Sequence, residues 1–185
     1  MVIIGITGTL GAGKGTIVDY LKEERGFLHF SARQFIIEEI EKRKLNIDRD
    51  SMTKVANDLR ANNSPSYIID ELYKRSEASG KNCVIESIRT IGEIQSLRKR
   101  NNFYLFAVDA DAKLRFQRIK IRKSSTDNVD FETFISNEQR EMESDDPNKQ
   151  NLLKCIIMAD FLFKNNKTKA ELNNEIEFVL KKLKI

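Results

Sequence analysis

Residues 2–21 read VIIGITGTLGAGKGTIVDYL, and the middle of that stretch decides the fold. Gly8-Thr9-Leu10-Gly11-Ala12-Gly13-Lys14 fits G-x-x-x-x-G-K. It follows an apolar run ending at Ile6 and precedes a helical pattern carrying Ile17, Val18 and Leu21. That strand-then-helix context gives the pattern its meaning. Backbone N–H groups converge on phosphate oxygens only through conformations that side chains obstruct, which is the reason for the glycines. The helix adds its positive amino end, and Lys14 supplies a full charge for β- and γ-phosphates. Gly11, Ala12, Gly13, Lys14, Gly15 and Thr16 are therefore the expected triphosphate contacts. A glycine-rich turn without a ligand has no use for the lysine. Glycine at position 15, with the hydroxyl one residue later at Thr16, separates the chain from the GTPase and motor-ATPase pattern.

Working outward, Val2–Ile6, Cys83–Ile85, Phe103–Val108 and Phe161–Phe163 read as buried strands, with Phe27–Phe30 as a fifth. Helical periodicity lies between them, and Leu172, Ile176, Val179 and Leu183 form one face of a last helix. Thr90 with Glu93 and Thr168 with Glu171 have capping-box spacing. Pro65 and Pro147 are expected in the first turns of helices. Strands separated by helices predict an α/β fold: one domain over residues 1–185, three layers α/β/α around a parallel five-stranded sheet. Two stretches break the rhythm. Residues of about 31–79 hold some three helices in a row, and about 123–147 is polar before another helical segment. Insertions at the carboxyl ends of strands lie where open α/β sheets bind ligands.

Composition narrows the function. The 185 residues are 40% hydrophobic and 32% charged, too apolar for a disordered chain. No apolar run approaches the ~18 residues of a membrane span, and the glycine motif begins where a signal peptide would need a basic segment. Cys83 and Cys155 stand far apart, which argues against a disulfide scaffold or a zinc site and points to a reducing, cytoplasmic compartment. His29 is the only histidine, so chemistry needing a histidine pair is excluded. A net charge of +4 suits an anionic small-molecule ligand and does not call for nucleic acid.

The motifs resemble those of the nucleoside monophosphate kinases, adenylate kinase among them. GTLGAGKGTIVDYLKEERGFLHFSARQFIIEEI is similar to their G-x-x-G-x-G-K-G-T, helix, G-F-x-H-x-S and second helix. VIESIRT resembles their D-G-x-x-R-T with Glu86 and Ser87 in place of Asp and Gly, one residue shorter before Arg89. VDADAKLRFQRIKIR matches their paired lid arginines at Arg118 and Arg122, and ADFLFKNNKT their last strand and the loop beside the donor base. A closer resemblance is to a group of small archaeal, bacterial and viral P-loop kinases that share I-E-S-I-R and S-D-D-P-N-K-Q. Dephospho-CoA kinase is a neighbour, but its D-A-D is replaced by Ser31-Ala32-Arg33.

The resemblance implies ATP as donor, Mg²⁺, an acceptor-binding insertion over 31–79, a lid over 123–147 and a monomer or dimer. Phosphoryl transfer needs positioning and positive charge more than covalent help. Lys14, Arg118, Arg122 and Arg140 are thus the expected catalytic cations, and Thr16, Glu86 and Asp109 the expected metal residues. Asn165, Asn166 and Lys167 are expected in the donor base loop. Ser31, Arg33, Arg60 and Arg89 are expected at the acceptor, although Ser31 and Glu93 also read as helix caps. Ala32 and Ile37 stand where the family keeps a threonine and an arginine for the acceptor, so Arg33 and Arg60 are the substitutes. The expected reaction moves the γ-phosphoryl group of ATP to a nucleoside or deoxynucleoside monophosphate. A dephospho-CoA-like or other small-molecule kinase and a nucleotide-dependent switch or assembly ATPase are the alternatives.

Overall fold

The structure is a computed structural model that describes residues 1–122 and 129–185. Five strands form one parallel sheet: β1 (Ile3–Gly8), β2 (Leu28–Ser31), β3 (Cys83–Glu86), β4 (Phe103–Asp109) and β5 (Phe161–Lys164), in the order β2-β3-β1-β4-β5. The helices among the described residues are α1 (Lys14–Arg25), α2 (Ala32–Lys42), α3 (Arg49–Asn62), α4 (Tyr67–Ser79), α5 (Ile91–Arg98), α6 (Ala112–Arg122), α7 (Phe131–Met142), α8 (Leu152–Ile157) and α9 (Lys169–Leu183). None of them is long and apolar enough to cross a membrane.

A parallel strand covered on both faces has no polar side to show. β1 meets that condition, with all six of its residues buried. Ile3 joins Ile85 and Leu105 in a core built with α2 to α5, while Ile4 and Ile6 join Val84, Phe106 and Val108 in a core with α1 and α9. The insertion over 31–79 is α2, α3 and α4, so three helices stand where no strand pattern was found. Both capping boxes form, at Thr90–Glu93 and Thr168–Glu171. The prolines differ from expectation. Pro65 precedes Ser66, the N-cap of α4, and Pro147 lies in a polar turn ahead of α8. Asn151 caps α8 instead, accepting from the Lys154 amide, and Ser144 and Asp146 fold the turn onto their own backbone. Residues 123–128 of the expected lid lie outside the described residues; the rest of it is dominated by α7.

Phe116 of α6 lies edge-on to Phe131 and tilted against Phe134 of α7, with ring centroids 5.2 and 5.6 Å apart. Arg115 pairs with Glu138 through its two terminal guanidinium nitrogens, so the two helices form one arm. The phosphate loop begins at Gly8, whose φ of +139° is open to glycine alone. A Cβ there would stand 2.0 Å from the Val108 carbonyl oxygen on β4. Strain and overlap with backbone act together, so Gly8→Ala is expected to cost about 3 kcal/mol or more of stability. Urea unfolding reads it as a lower midpoint at an unchanged slope.

Candidate active site

At the carboxyl ends of β1 and β3 the chain opens a cleft of about 590 Å³. Gly11, Gly13, Lys14, Gly15 and Thr16 form its floor. Gly13, with φ +109°, is the N-cap of α1, and a side chain on it would meet the Asn165 amide at 2.2 Å. That amide donates to the Ala12 carbonyl at 2.7 Å, which fixes the loop against the end of β5. The Lys14 ammonium donates to the carbonyls of Gly8 and Thr9, both at 2.9 Å. Burial and the neighbouring Arg89 charge pull its pKa down to about 8, against partial support from Glu86 and Glu141.

Arg33, Arg60, Glu86, Arg89, Arg118 and Arg122 also line this cleft. The turn after β3 positions Glu86 and Arg89. Ser87 between them has φ +73°, a left-handed conformation that costs a non-glycine residue about 1 kcal/mol or more. The backbone there has a shape that glycine adopts without strain. Glu86 Oε2 lies 3.2 Å from His29 Nε2. Burial pushes its carboxyl up, yet the His29 contact and the charges of Lys14 and Arg89 outweigh this and hold it below the usual range. Arg118 donates to the Asn165 carbonyl at 2.9 Å, and burial lowers its pKa. Among the described residues, Nη1 of Arg118 and Nη1 of Arg60 are buried without a hydrogen-bond partner.

Several expected residues are used elsewhere. Ser31 lies outside the cleft wall and caps α2, accepting from the Gln34 amide. Arg140 is exposed and donates to Asn137, outside the cleft wall that its neighbour Glu141 lines. Asp109 accepts from Thr9 Oγ1 at 2.8 Å and from Lys164 at 3.2 Å, and it is not among the residues that line the cleft. Asn166 pairs with Asp111, and Lys167 with Glu171. Arg60 lines the cleft but is 2% exposed and donates twice to Glu93, at 3.1 and 2.9 Å. The other Glu93 oxygen accepts from the Arg89 and Thr90 amides. Glu93 is therefore both a cap and the counter-charge of Arg60.

Asp19, Arg49, Glu141 and Gln150 also line the cleft, although no sequence motif read above singles them out. Glu141 bridges Arg49 at 2.6 Å and Arg89 at 2.7 Å, and Gln150 accepts from Arg89 at 2.5 Å. A usable signal existed for Gln150, the last residue of S-D-D-P-N-K-Q. For Glu141, one residue from Arg140, only the helix phase decides which side chain faces inward.

A family model described as an AAA domain matches residues 4–145. A UPF0200 protein of Pyrobaculum aerophilum is 30% identical over 98% of this chain and 98% of its own length. The chain belongs to the UPF0200 family. Among solved structures, TT1252 from Thermus thermophilus superposes with a TM-score of 0.66 at 17% identity, covering 98% of this chain and 97% of that one. A gluconokinase from Sinorhizobium meliloti gives 0.63 at 12% identity, covering 98% and 93%. A shikimate kinase from Bacteroides thetaiotaomicron gives 0.59 at 13%, covering 100% and 99%. This UPF0200 chain thus has the α/β fold of P-loop, nucleotide-dependent kinases.

Its Lys14 carries a pH signature. The ammonium costs fold stability below about pH 8, and the cost is relieved as pH rises toward 10.5. A triphosphate beside it favours the charged form. Lys14 is therefore expected to take up a proton on nucleotide binding at about pH 8 to 9 and not at about pH 6, where the ammonium is already charged. Calorimetry in two buffers of different ionisation enthalpy reads the uptake, and Lys14→Met removes it.

Proposed function

We propose that this UPF0200 protein transfers the γ-phosphoryl group of ATP to a nucleoside or deoxynucleoside monophosphate in the cytoplasm. One observation carries the reading: Lys14 of the phosphate loop, Arg118 and Arg122 of α6, and Arg89 after β3 all face a single cleft. Charge in the transferring group spreads over its equatorial oxygens, so cations from separate directions serve it best. Lys14 and the loop amides hold the donor phosphates, and the α6 arginines cover them from the arm. Arg89, with Arg33 and the spare Nη1 of Arg60, holds the acceptor's phosphate.

Among the described residues no three His, Cys, Asp or Glu side chains cluster as a metal cage. Mg²⁺ ordinarily keeps several waters and takes only one or two protein oxygens beside substrate phosphates. The Thr16 hydroxyl and the ionised Glu86 carboxylate in the same cleft fit that habit. The ion would supply charge neutralisation for the triphosphate there, with Thr16 and Glu86 orienting its waters.

A second reading, a small hydroxyl-bearing acceptor, draws support from the Glu141 hold on Arg89 and from the likeness to a gluconokinase and a shikimate kinase. A coupled ADP-release assay over nucleoside monophosphates, sugars and hydroxy acids separates the two. A monophosphate is expected to raise turnover about tenfold or more above ATP alone, and Arg89→Met to raise the acceptor KM by a similar factor. Stimulation by the non-phosphorylated compounds alone would shift the acceptor class, and stimulation by none would remove the transferase reading.

A further inference from the structure

Three segments far apart in sequence meet on the Glu141 carboxylate. One oxygen accepts from Arg49 Nη2 in the first turn of α3, the other from Arg89 Nη1 after β3, at 2.6 and 2.7 Å. The Arg89 nitrogen also reaches Gln150. The Glu141 side chain is 14% exposed, and both arginines are about one quarter exposed. Shared between two guanidinium groups and largely withdrawn from water, this carboxylate offers the same pattern of acceptor oxygens as one edge of a phosphate.

We propose that Glu141 is a built-in competitor for the acceptor's anionic group, so that a ligand gains Arg49 and Arg89 only by taking them from this carboxylate. The inference rests on the anionic acceptor of the preceding section and adds its selectivity. Glu141 is tethered, which gives it a high effective concentration at the two arginines. A free carboxylate brings the same single charge and has no advantage over it. A phosphomonoester dianion brings more charge and a third oxygen, and it can displace the side chain. The site therefore favours phosphomonoesters over carboxylic acids.

The competitor also sits on the arm. Glu141 belongs to α7, which the Phe116, Phe131 and Phe134 rings and the Arg115–Glu138 pair join to α6. Arg118 and Arg122 belong to α6. Displacing Glu141 frees the arm's hold on α3 at the moment the acceptor arrives, which links the acceptor side of the cleft to its donor side.

Sulfate, a dianion throughout the neutral range, tests this without nucleotide. Calorimetric titration of the full chain is expected to show Glu141→Gln binding sulfate about tenfold or more tightly than the natural sequence, the factor carried by one charge-assisted hydrogen bond. The gain is expected to vanish in Glu141→Gln/Arg89→Met, which assigns it to this site. Where Glu141→Gln lowers the thermal midpoint too far, Glu141→Met serves instead, because it too removes the carboxylate and keeps a side chain of similar length. Sulfate affinities within about twofold of one another overturn the proposal, as does a gain that persists without Arg89. The titration consumes no ATP and needs no acceptor. An unchanged sulfate affinity thus removes the competitor and leaves the kinase reading standing. A tenfold gain with a silent acceptor panel does the reverse.

Discussion

The Lys14 ammonium stands at the foot of α1 and shares one cleft with the guanidinium groups of Arg89 and Arg122. Like charges gathered in one cleft repel, and the rest of the site is arranged around that cost. Glu86 and Glu141 supply opposing charge from β3 and α7, Glu93 neutralises Arg60, and Glu138 neutralises Arg115. Each carboxylate comes from a different element from the cation it balances. The layers of the fold are thus held in register by charge as well as by their two apolar cores.

Such an arrangement has a chemical logic. A cleft with unsatisfied Nη1 atoms on Arg60 and Arg118 has donors left over for a multiply charged ligand. The sheet sets their directions: β1 delivers the phosphate loop, β3 the Glu86–Arg89 turn, and α6 the cations above them. Because β1 and β3 are adjacent and parallel, both turns open at the same end of the sheet.

Much of this was legible in the residue string. The phosphate loop needs a strand, glycines, a lysine and a helix in fixed order, and those are local features. The strands announced themselves as short apolar runs, the three inserted helices as an interval without one, and both capping boxes by spacing alone. Pairings across the chain were not legible. Nothing local joins Arg60 to Glu93, thirty-three positions on, or Asp109 to Thr9, a hundred positions back. Arg140 and Glu141 show the limit sharply. Consecutive residues on a helix point about 100° apart, so a small uncertainty in helix phase exchanges an inward cation for an inward anion. Pro147 shows another: a proline after a polar residue marks a turn as readily as a helix start.

The Asn165 side chain grips the Ala12 carbonyl across 153 positions of sequence, and β5 ends beside it. A ribosome makes the glycine-rich segment well before its clamp. Nascent chains of this protein therefore carry an unbraced loop until those intervening positions have been made, and competence to grip a nucleotide waits on the docking of β5.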